Sequence, residues 1–321
     1  MVHKRSGQLG FMDAWLGNNP ELNRRLDKIS RLLDWSVFDR MLGVIYNSST
    51  GRPSHPVLLL FKGLLLQSWH NLSDYELEAN LDDRLSFRRF VELSAMEKAP
   101  DHSVFSRFRD QLVAKGLHDR LFEELNRQME ARGLVVKKGT LIDATVIEGA
   151  PKAPTQNEDG TAGKSSQDLD ATWTKKAGKY RFGYKAHVGI DQESELIRRV
   201  AMTPAHVHDG KMFASVLSGD EGWAYADKAY DSKDNRDVLQ KKGIHNGILM
   251  KGHAKRPLNS VQRKCNKILS KLRSPVERIF GTLKRSYRYC RAKYLGLRKN
   301  TLQLTLMCMA YNLRRMEKLC V

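Results

Sequence analysis

Three acidic residues stand where acids are hard to account for. Asp143 lies inside "TLIDATVI", an otherwise apolar run. A buried carboxylate is costly unless it is paired or bound to a metal. Asp227 closes the short run "WAYAD", and Glu277 sits in "SPVERIFGTLKR", where the surrounding charge is positive. Three carboxylates without a thiolate or imidazole cluster suit hard divalent cations, Mg²⁺ foremost, with Mn²⁺ able to substitute. Two such ions can activate a water or hydroxyl and stabilise the leaving oxygen of an in-line displacement at phosphorus. Each acid also has an ordinary explanation. Asp143 can end a strand on backbone donors, and Asp227 can cap a turn. "SPVE" has the spacing of a capping box, with Ser274 as N-cap, Pro275 at N1 and Glu277 at N3. Periodicity does not choose between these readings.

The charge distribution points to a polyanionic partner. Residues 241–321 hold 21 Lys and Arg against 2 Asp and Glu, so residues 1–240, with 34 of each sign, are neutral. The whole net charge of +19 therefore lies in the last quarter of the chain. Such segregation fits nucleic acid better than an acidic membrane surface, because the basic quarter lacks Trp and a membrane-lying apolar face. No run of 18 apolar residues exists, and "MVHKRSGQLG" is not a secretory signal, so no membrane association is expected. The four cysteines form no C-x-x-C pair and read as reduced thiols of a cytoplasmic protein, Cys290 and Cys308 in the core.

The elements that must position these residues change character at 134. Residues 1–133 form an all-helical front. "VLLLFKGLLLQSWH" starts after Pro56, Ser73 and Glu76 make a capping box, Asp101 or Ser103 caps the next helix, and Gly133 ends the last. Residues 134–321 form a second domain in which the period switches to two. Strands are expected at "TLIDATVI", "RFGYKAHVGI", "ELIRRVAMT", "GWAYAD" and "NGILMK". Helices are expected at "VHDGKMFASVL", where Asp209 would cap, at "SKDNRDVLQKKG", at 274–289 and near the end. The Pro-, Gly-, Ser- and Asp-rich segment 149–178 reads as a loop. Three antiparallel strands followed by α/β units give a mixed α/β sheet flanked by helices, the element order of the ribonuclease H-like fold.

Several blocks, in order, carry a family resemblance: "LIDATVIEGAP", "WTKKAGKYRFGYKAHVGID", "TPAHVHD", "YADKAYDS" and "LRSPVERIFGTLKR". Together with "RPSHPVLLLFKGLLLQSWHNLSDYELEANLDDRLSFRRFVELS" in the helical front, the sequence resembles the DDE transposases of bacterial insertion sequences, especially the insertion sequence 5 group. The resemblance implies a catalytic, metal-holding triad at Asp143, Asp227 and Glu277, two Mg²⁺ ions, cleavage at the element's ends and transfer of the 3′-hydroxyl into target DNA. Related families carry Y-x2-R-x3-E-x6-K on the last helix. Arg273, Glu277 and Lys284 match it, while Ser270 stands in the Tyr position. The resemblance gives Arg273 and Lys284 DNA phosphates to hold, a fork and a point charge. The 50 residues between Asp227 and Glu277 leave no room for the large inserted β domain of some relatives. Lys228 and the basic residues Arg278, Arg285 and Arg288 are further candidates for the DNA backbone. The expected partner is double-stranded DNA, both terminal inverted repeats and target, bound by a homodimer in a nucleoid-associated bacterial protein.

Other side chains offer weaker chemistry. "HVHD" (His206, His208, Asp209) has metal-ligating types but reads better as a turn and cap. Trp173 and Trp223 offer stacking faces for a flipped base, though Trp223 fits core packing. "SVFSRFRDQLVAK" is a candidate for terminal-repeat recognition in a major groove. His253 and Arg256 with Tyr287 or Tyr289 resemble the set of a tyrosine recombinase, whose nucleophile is a tyrosine. That chemistry would survive EDTA and leave a covalent protein–DNA adduct. A non-catalytic DNA-binding protein derived from a transposase is the third reading.

Overall fold

The computed structural model describes residues 24–46, 54–155, 163, 167–176, 178–252 and 257–320. They fall into two compact units. One takes in the chain as far as Arg132 and again from Thr305 onward; the other is Gly133–Leu304.

The first unit is helical: α1 (Arg24–Leu32), α2 (Trp35–Leu42), α3 (Val57–His70), α4 (Asp74–Asp83), α5 (Leu85–Val91), α6 (His102–Ala114) and α7 (Leu117–Ala131). Local signals set the boundaries. Ser73 and Glu76 form the reciprocal capping box of α4, and Asp101 caps α6 by accepting the Val104 N–H. All but the last residue of α3 are buried, Lys62 included. The Lys62 ammonium meets Glu92 at 2.6 Å and lies 4.5 Å from the Trp35 ring centroid, so the buried charge keeps both an anion and an aromatic face. Phe105, Phe108, Arg109 and Leu112 of α6 are also buried. The stretch expected to read a major groove thus spends those side chains on the core.

The second unit is built on a six-stranded sheet of β1 (Gly139–Glu148), β2 (Thr172–Lys176), β3 (Lys179–Asp191), β4 (Ile197–Pro204), β5 (Trp223–Ala226) and β6 (His245–Ile248). Its order is β2-β3-β1-β5-β6, with β4 also on β3. β1 runs antiparallel to β3 and parallel to β5, and β5 is parallel to β6. With α8 (Lys233–Lys242), α9 (Ser260–Arg273), α10 (Pro275–Arg285) and the start of α11 (Leu297–Leu319), this is the ribonuclease H-like α/β arrangement. One core cluster joins Ile142, Ala224 and Ala226 to Phe213, Leu239 and Ile248. At Gly183, with φ +148°, β3 passes so close to β1 that a Cβ would lie 2.2 Å from the Ile147 carbonyl oxygen, which no side chain permits.

Some expectations need correction. β2 lies within the stretch read as a loop, forming a hairpin with β3. The expected helix over 207–217 is two short 3₁₀ turns, Asp209–Met212 and Ala214–Val216. The His208 side chain, not Asp209, accepts the Gly210 N–H there; Asp209 is taken by Lys185 at 2.9 Å. Cys290 is exposed, whereas Cys308 is buried. Trp223 is 39% exposed because β5 begins at the sheet's rim, where its ring stacks beside Tyr225.

His187 on β3 is fully buried, with Nε2 2.9 Å from Thr203 Oγ1. Burial pushes its pKa down to about 4. Because that lies below the value of an unfolded histidine, near 6.5, the stability it permits is complete above about pH 6.5 and is lost as pH falls toward 4. The full loss amounts to about 3 kcal/mol. Melting temperatures measured from pH 7 to 4 should fall steeply for the parent and less steeply for His187→Asn; equal slopes would assign the acid sensitivity elsewhere.

Candidate active site

The parallel pairing of β1 with β5 ends at Ile142 opposite Ala226. Asp143 and Asp227 are the next residue on each strand, and neighbouring strands lie about 4.8 Å apart. Both acids therefore stand where the strands stop pairing, the carboxyl end at which open sheets of this kind bind ligands. Asp143 is mostly buried, its side chain 21% exposed. Its Oδ1 accepts the Ala144 N–H at 2.9 Å, and its Oδ2 accepts from an Arg273 guanidinium nitrogen at 2.9 Å. Burial pushes the Asp143 carboxyl above its usual range. The Arg273 and Lys176 charges oppose that push, and the Asp227 charge adds to it. Asp227 caps the 3₁₀ turn Lys228–Tyr230, with Oδ1 on the Lys228 N–H at 2.6 Å. It thus does the work of a turn cap, as the sequence allowed, while keeping its place beside Asp143.

Glu277 is exposed on the first turn of α10. Its expected role in a capping box is not taken up. Ser274 is itself in the αR conformation, makes no side-chain cap, and donates its hydroxyl to the Lys271 carbonyl at 2.9 Å. Nearly continuous helix from α9 into α10 places Glu277 four residues after Arg273, whose guanidinium holds Asp143. Among the described residues no three His, Cys, Asp or Glu side chains gather as a metal-holding group. The structure brings Asp143 and Asp227 together and leaves Glu277 outside such a cluster. A carboxylate pair rich in free oxygen lone pairs, one member disfavoured as a bare anion by burial, fits a hard divalent cation.

The basic candidates divide. Lys284 is partly buried on the Val146 carbonyl at 3.1 Å, and burial lowers its pKa. An ammonium has three donors, so this bond leaves capacity for a phosphate. Arg278 is exposed and pairs with Glu195. Lys228, Arg285 and Arg288 are exposed. The tyrosines of the recombinase reading, Tyr287 and Tyr289, are 1% and 2% exposed, too buried to attack a phosphodiester, and His253 and Arg256 lie outside the described residues.

Sequence reasoning gave no place beside the carboxylates to four neighbours. Lys176, at the tip of the β2–β3 hairpin, points its ammonium at the Ala144 carbonyl, 3.4 Å away. Lys185 and Asp209 form an ion pair and line, with Lys176, a cavity of about 120 Å³ beside β1. Tyr230 is fully buried, and the charges of Asp143, Asp209 and Asp227 add to burial in raising its pKa. None carries a sequence signal, because each gains its place from hairpin and loop geometry. The adjacency of "HVHD" to the third antiparallel strand was the nearest available hint for Asp209.

A ribonuclease H-like sheet with two carboxylates where β1 and β5 stop pairing, and cations around them, is an arrangement suited to chemistry at phosphorus. The particular family follows from comparison. The model described as "Transposase DDE domain" matches residues 136–313, and that described as "Transposase domain (DUF772)" matches residues 15–111. The first spans more than half of the chain, which belongs to this DDE transposase family. It is a DNA transposase, an enzyme of strand cleavage and transfer, and the family is one that depends on divalent metal and acts on DNA. Among solved structures the chain is similar to "Cryo-EM structure of piggyBac transposase synaptic complex with hairpin DNA (SNHP)", with a TM-score of 0.41 and 10% identity, covering 92% of this chain and 72% of that chain. No described helix is long and apolar enough to cross a membrane.

A carboxyl whose folded pKa is raised contributes stability in its protonated form, fully present at low pH and lost as pH rises through the folded value. Ionisation of Asp143 is therefore a burden on the metal-free fold. Asp143→Asn keeps an acceptor for Arg273 and removes the charge. Its melting temperature without metal should equal or exceed that of the parent at pH 7, the difference narrowing as pH falls. A drop of several degrees at pH 7 would mean that the Arg273 ion pair outweighs the desolvation of Asp143.

Proposed function

We propose that Asp143, Asp227 and Glu277 together hold two Mg²⁺ ions, replaceable by Mn²⁺, beside a scissile phosphodiester at the end of an insertion sequence. When bound, the ions activate a water or a 3′-hydroxyl and stabilise the leaving oxygen in an in-line displacement at phosphorus. The observation that supports this reading is the placement of Asp143 and Asp227 side by side where β1 and β5 stop pairing, with the Arg273 guanidinium already on Asp143. Arg273 is a fork suited to phosphate oxygens. On DNA it exchanges the Asp143 carboxylate for a phosphate, which frees Oδ2 of Asp143 as arriving DNA adds negative charge. Glu277, one helical turn beyond Arg273, completes the donor set in that complex. Lys284 holds a phosphate next to the cut while staying anchored on β1. Lys228, Arg278, Arg285 and Arg288 track the backbone on either side. The helical front, residues 1–133, recognises the terminal repeats and pairs two copies, because two ends must be brought together. The protein works in the bacterial cytoplasm, on the nucleoid.

Cleavage of an end-bearing duplex should require Mg²⁺ or Mn²⁺ and stop in EDTA. Asp143→Asn, Asp227→Asn and Glu277→Gln should each lower the cleavage rate at least about a hundredfold, since charge neutralisation by metal is worth several kcal/mol. Duplex binding in Ca²⁺ should persist in all three. Robust cutting by any one of them removes that residue from the site.

Six cations are assigned to phosphates here: Arg273, Lys284, Lys228, Arg278, Arg285 and Arg288. Duplex affinity plotted as log K against log salt should then have a slope of about −5 or steeper. Arg285→Gln and Arg288→Gln should each make it shallower by about 1. A slope unmoved by either change would take these exposed arginines off the DNA.

A further inference from the structure

A second cavity of this unit does not coincide with the carboxylates. It measures about 380 Å³ and lies at the far end of β1, lined among others by Glu148, Trp173, Lys179, Tyr180, Arg181 and Arg291. Three aromatic rings, Trp173, Tyr180 and Phe182, and three cations share one hollow with a single acid. The rings are set in different ways. Trp173 packs against Phe182, with centroids 5.5 Å apart, and its indole N–H donates to the Gly163 carbonyl at 3.2 Å, so the ring is fixed. Tyr180 is 64% exposed, and the Lys175 ammonium lies 5.2 Å from its ring centroid. Burial does not explain an aromatic so exposed on a hairpin. Arg291 is braced by the carbonyls of Gly149 at 2.9 Å and Pro151 at 3.3 Å, and Arg181 pairs with Glu148 at 2.8 Å.

Aromatic faces beside a cationic groove are what single-stranded nucleic acid requires. Every base has a face to stack, and every link a phosphate to neutralise. A base inside a duplex has its faces covered by its neighbours, so only an unpaired nucleotide can use such a hollow. The volume is at the lower end of small-ligand pockets and far too small for a duplex. Its place relative to the carboxylates fits one DNA strand. Glu148 is five residues beyond Asp143 on β1, roughly 17 Å at about 3.3 Å per residue. At about 3.4 Å per nucleotide along one strand, that is about five links from the cut. Two ammonium groups lie between Asp143 and Glu148 along β1, Lys176 on the Ala144 carbonyl and Lys284 on the Val146 carbonyl.

We propose that this cavity binds a single unpaired nucleotide of the DNA strand being processed, its base stacked on Tyr180 and Trp173 and its phosphate held by Lys179 and Arg291. The proposal rests on the DNA-transposase reading and adds to it a requirement for local unpairing near the cut.

The test compares binding of an oligothymidylate with binding of an abasic deoxyribose-phosphate strand of the same length, by fluorescence anisotropy on the full chain. Thymidylate serves because it stacks without self-pairing. The parent should prefer the base-bearing strand by about tenfold or more. Tyr180→Ala should remove most of that preference, and Tyr180→Phe should restore it. Tyr180 is exposed, so its truncation does not threaten the fold. Equal affinity of the parent for both strands overturns the proposal, as does a preference that survives in Tyr180→Ala combined with Trp173→Ala. Metal-dependent cleavage of an end-bearing duplex by the parent is scored separately. Its failure would count against the carboxylate site, while the strand preference would still decide the cavity.

Discussion

Strand β1 is paired along its whole length with β3 but only over Gly139–Ile142 with β5, and the site depends on that asymmetry. Beyond Ile142 one edge of a central strand has no neighbouring strand. Its backbone groups still need partners, since an orphaned buried carbonyl costs about 1–3 kcal/mol. They find them in side chains and loop. Lys176 takes the Ala144 carbonyl, Lys284 takes the Val146 carbonyl, and Glu148 exchanges backbone bonds with Cys290 and Ala292. Where another strand would have brought neutral amides, this edge is closed by two ammonium groups. The same interruption places Asp143 beside them. One structural gap therefore yields both an anionic pair for metal and a lane of positive charge for phosphate.

The two features sustain each other electrostatically. Burial alone pushes Asp143 toward its neutral form, and the charges of Arg273 and Lys176 hold it back. Lys284 is pushed the other way, and Lys176 contributes to that. Anions and cations at this edge are both short of solvent, so each is stabilised by a partner of opposite charge. A divalent ion and a phosphodiester would satisfy both sets at once: on the proposed reading Asp143 and Asp227 would hold the ion in place of Arg273, and the cations released would take a phosphate. Coupled arrival of metal and DNA is the physical consequence, because either alone leaves one set of charges worse off.

Much of this frame is legible in the sequence, and the failures have identifiable causes. Asp143 stands out because an acid in a β-branched run violates its surroundings, and Asp227 because it closes a short apolar run. The succession of the five strands other than β2 follows from the change of period after residue 133. Glu277 is harder, because S-P-V-E obeys every local rule of a helix start. Helix nonetheless approaches Ser274 from the N-terminal side, so its φ/ψ are helical and the cap cannot form. α9 has apolar residues at helical spacing, Val261, Cys265, Ile268 and Leu272, which the helix expected from 274 leaves out; it buries none of them, Val261 and Ile268 being 65% and 61% exposed. β2 escapes because five residues, two of them lysines, carry too little pattern after a Pro- and Gly-rich segment. The expected helix over 207–217 fails because Gly210 is conformationally permissive and the segment is held by Lys185 on Asp209 and on the Val207 carbonyl.

Lys176 shows where local reading must end. Nothing distinguishes it from the other lysines of "WTKKAGKYR", and its significance comes only from the arch of a hairpin that carries it to Ala144. The same hairpin supplies Tyr180 and Arg181 to the cavity beyond. Function in this unit is thus divided between two kinds of element. The rigid, doubly paired strands fix the carboxylates, whose geometry must be held closely for chemistry at phosphorus. The hairpin carries the cations and exposed aromatic that would meet a deformable strand of DNA, where reach matters more than exact placement. A catalytic defect with intact strand binding should therefore arise from changes in β1 and β5, and the converse from changes at the hairpin tip.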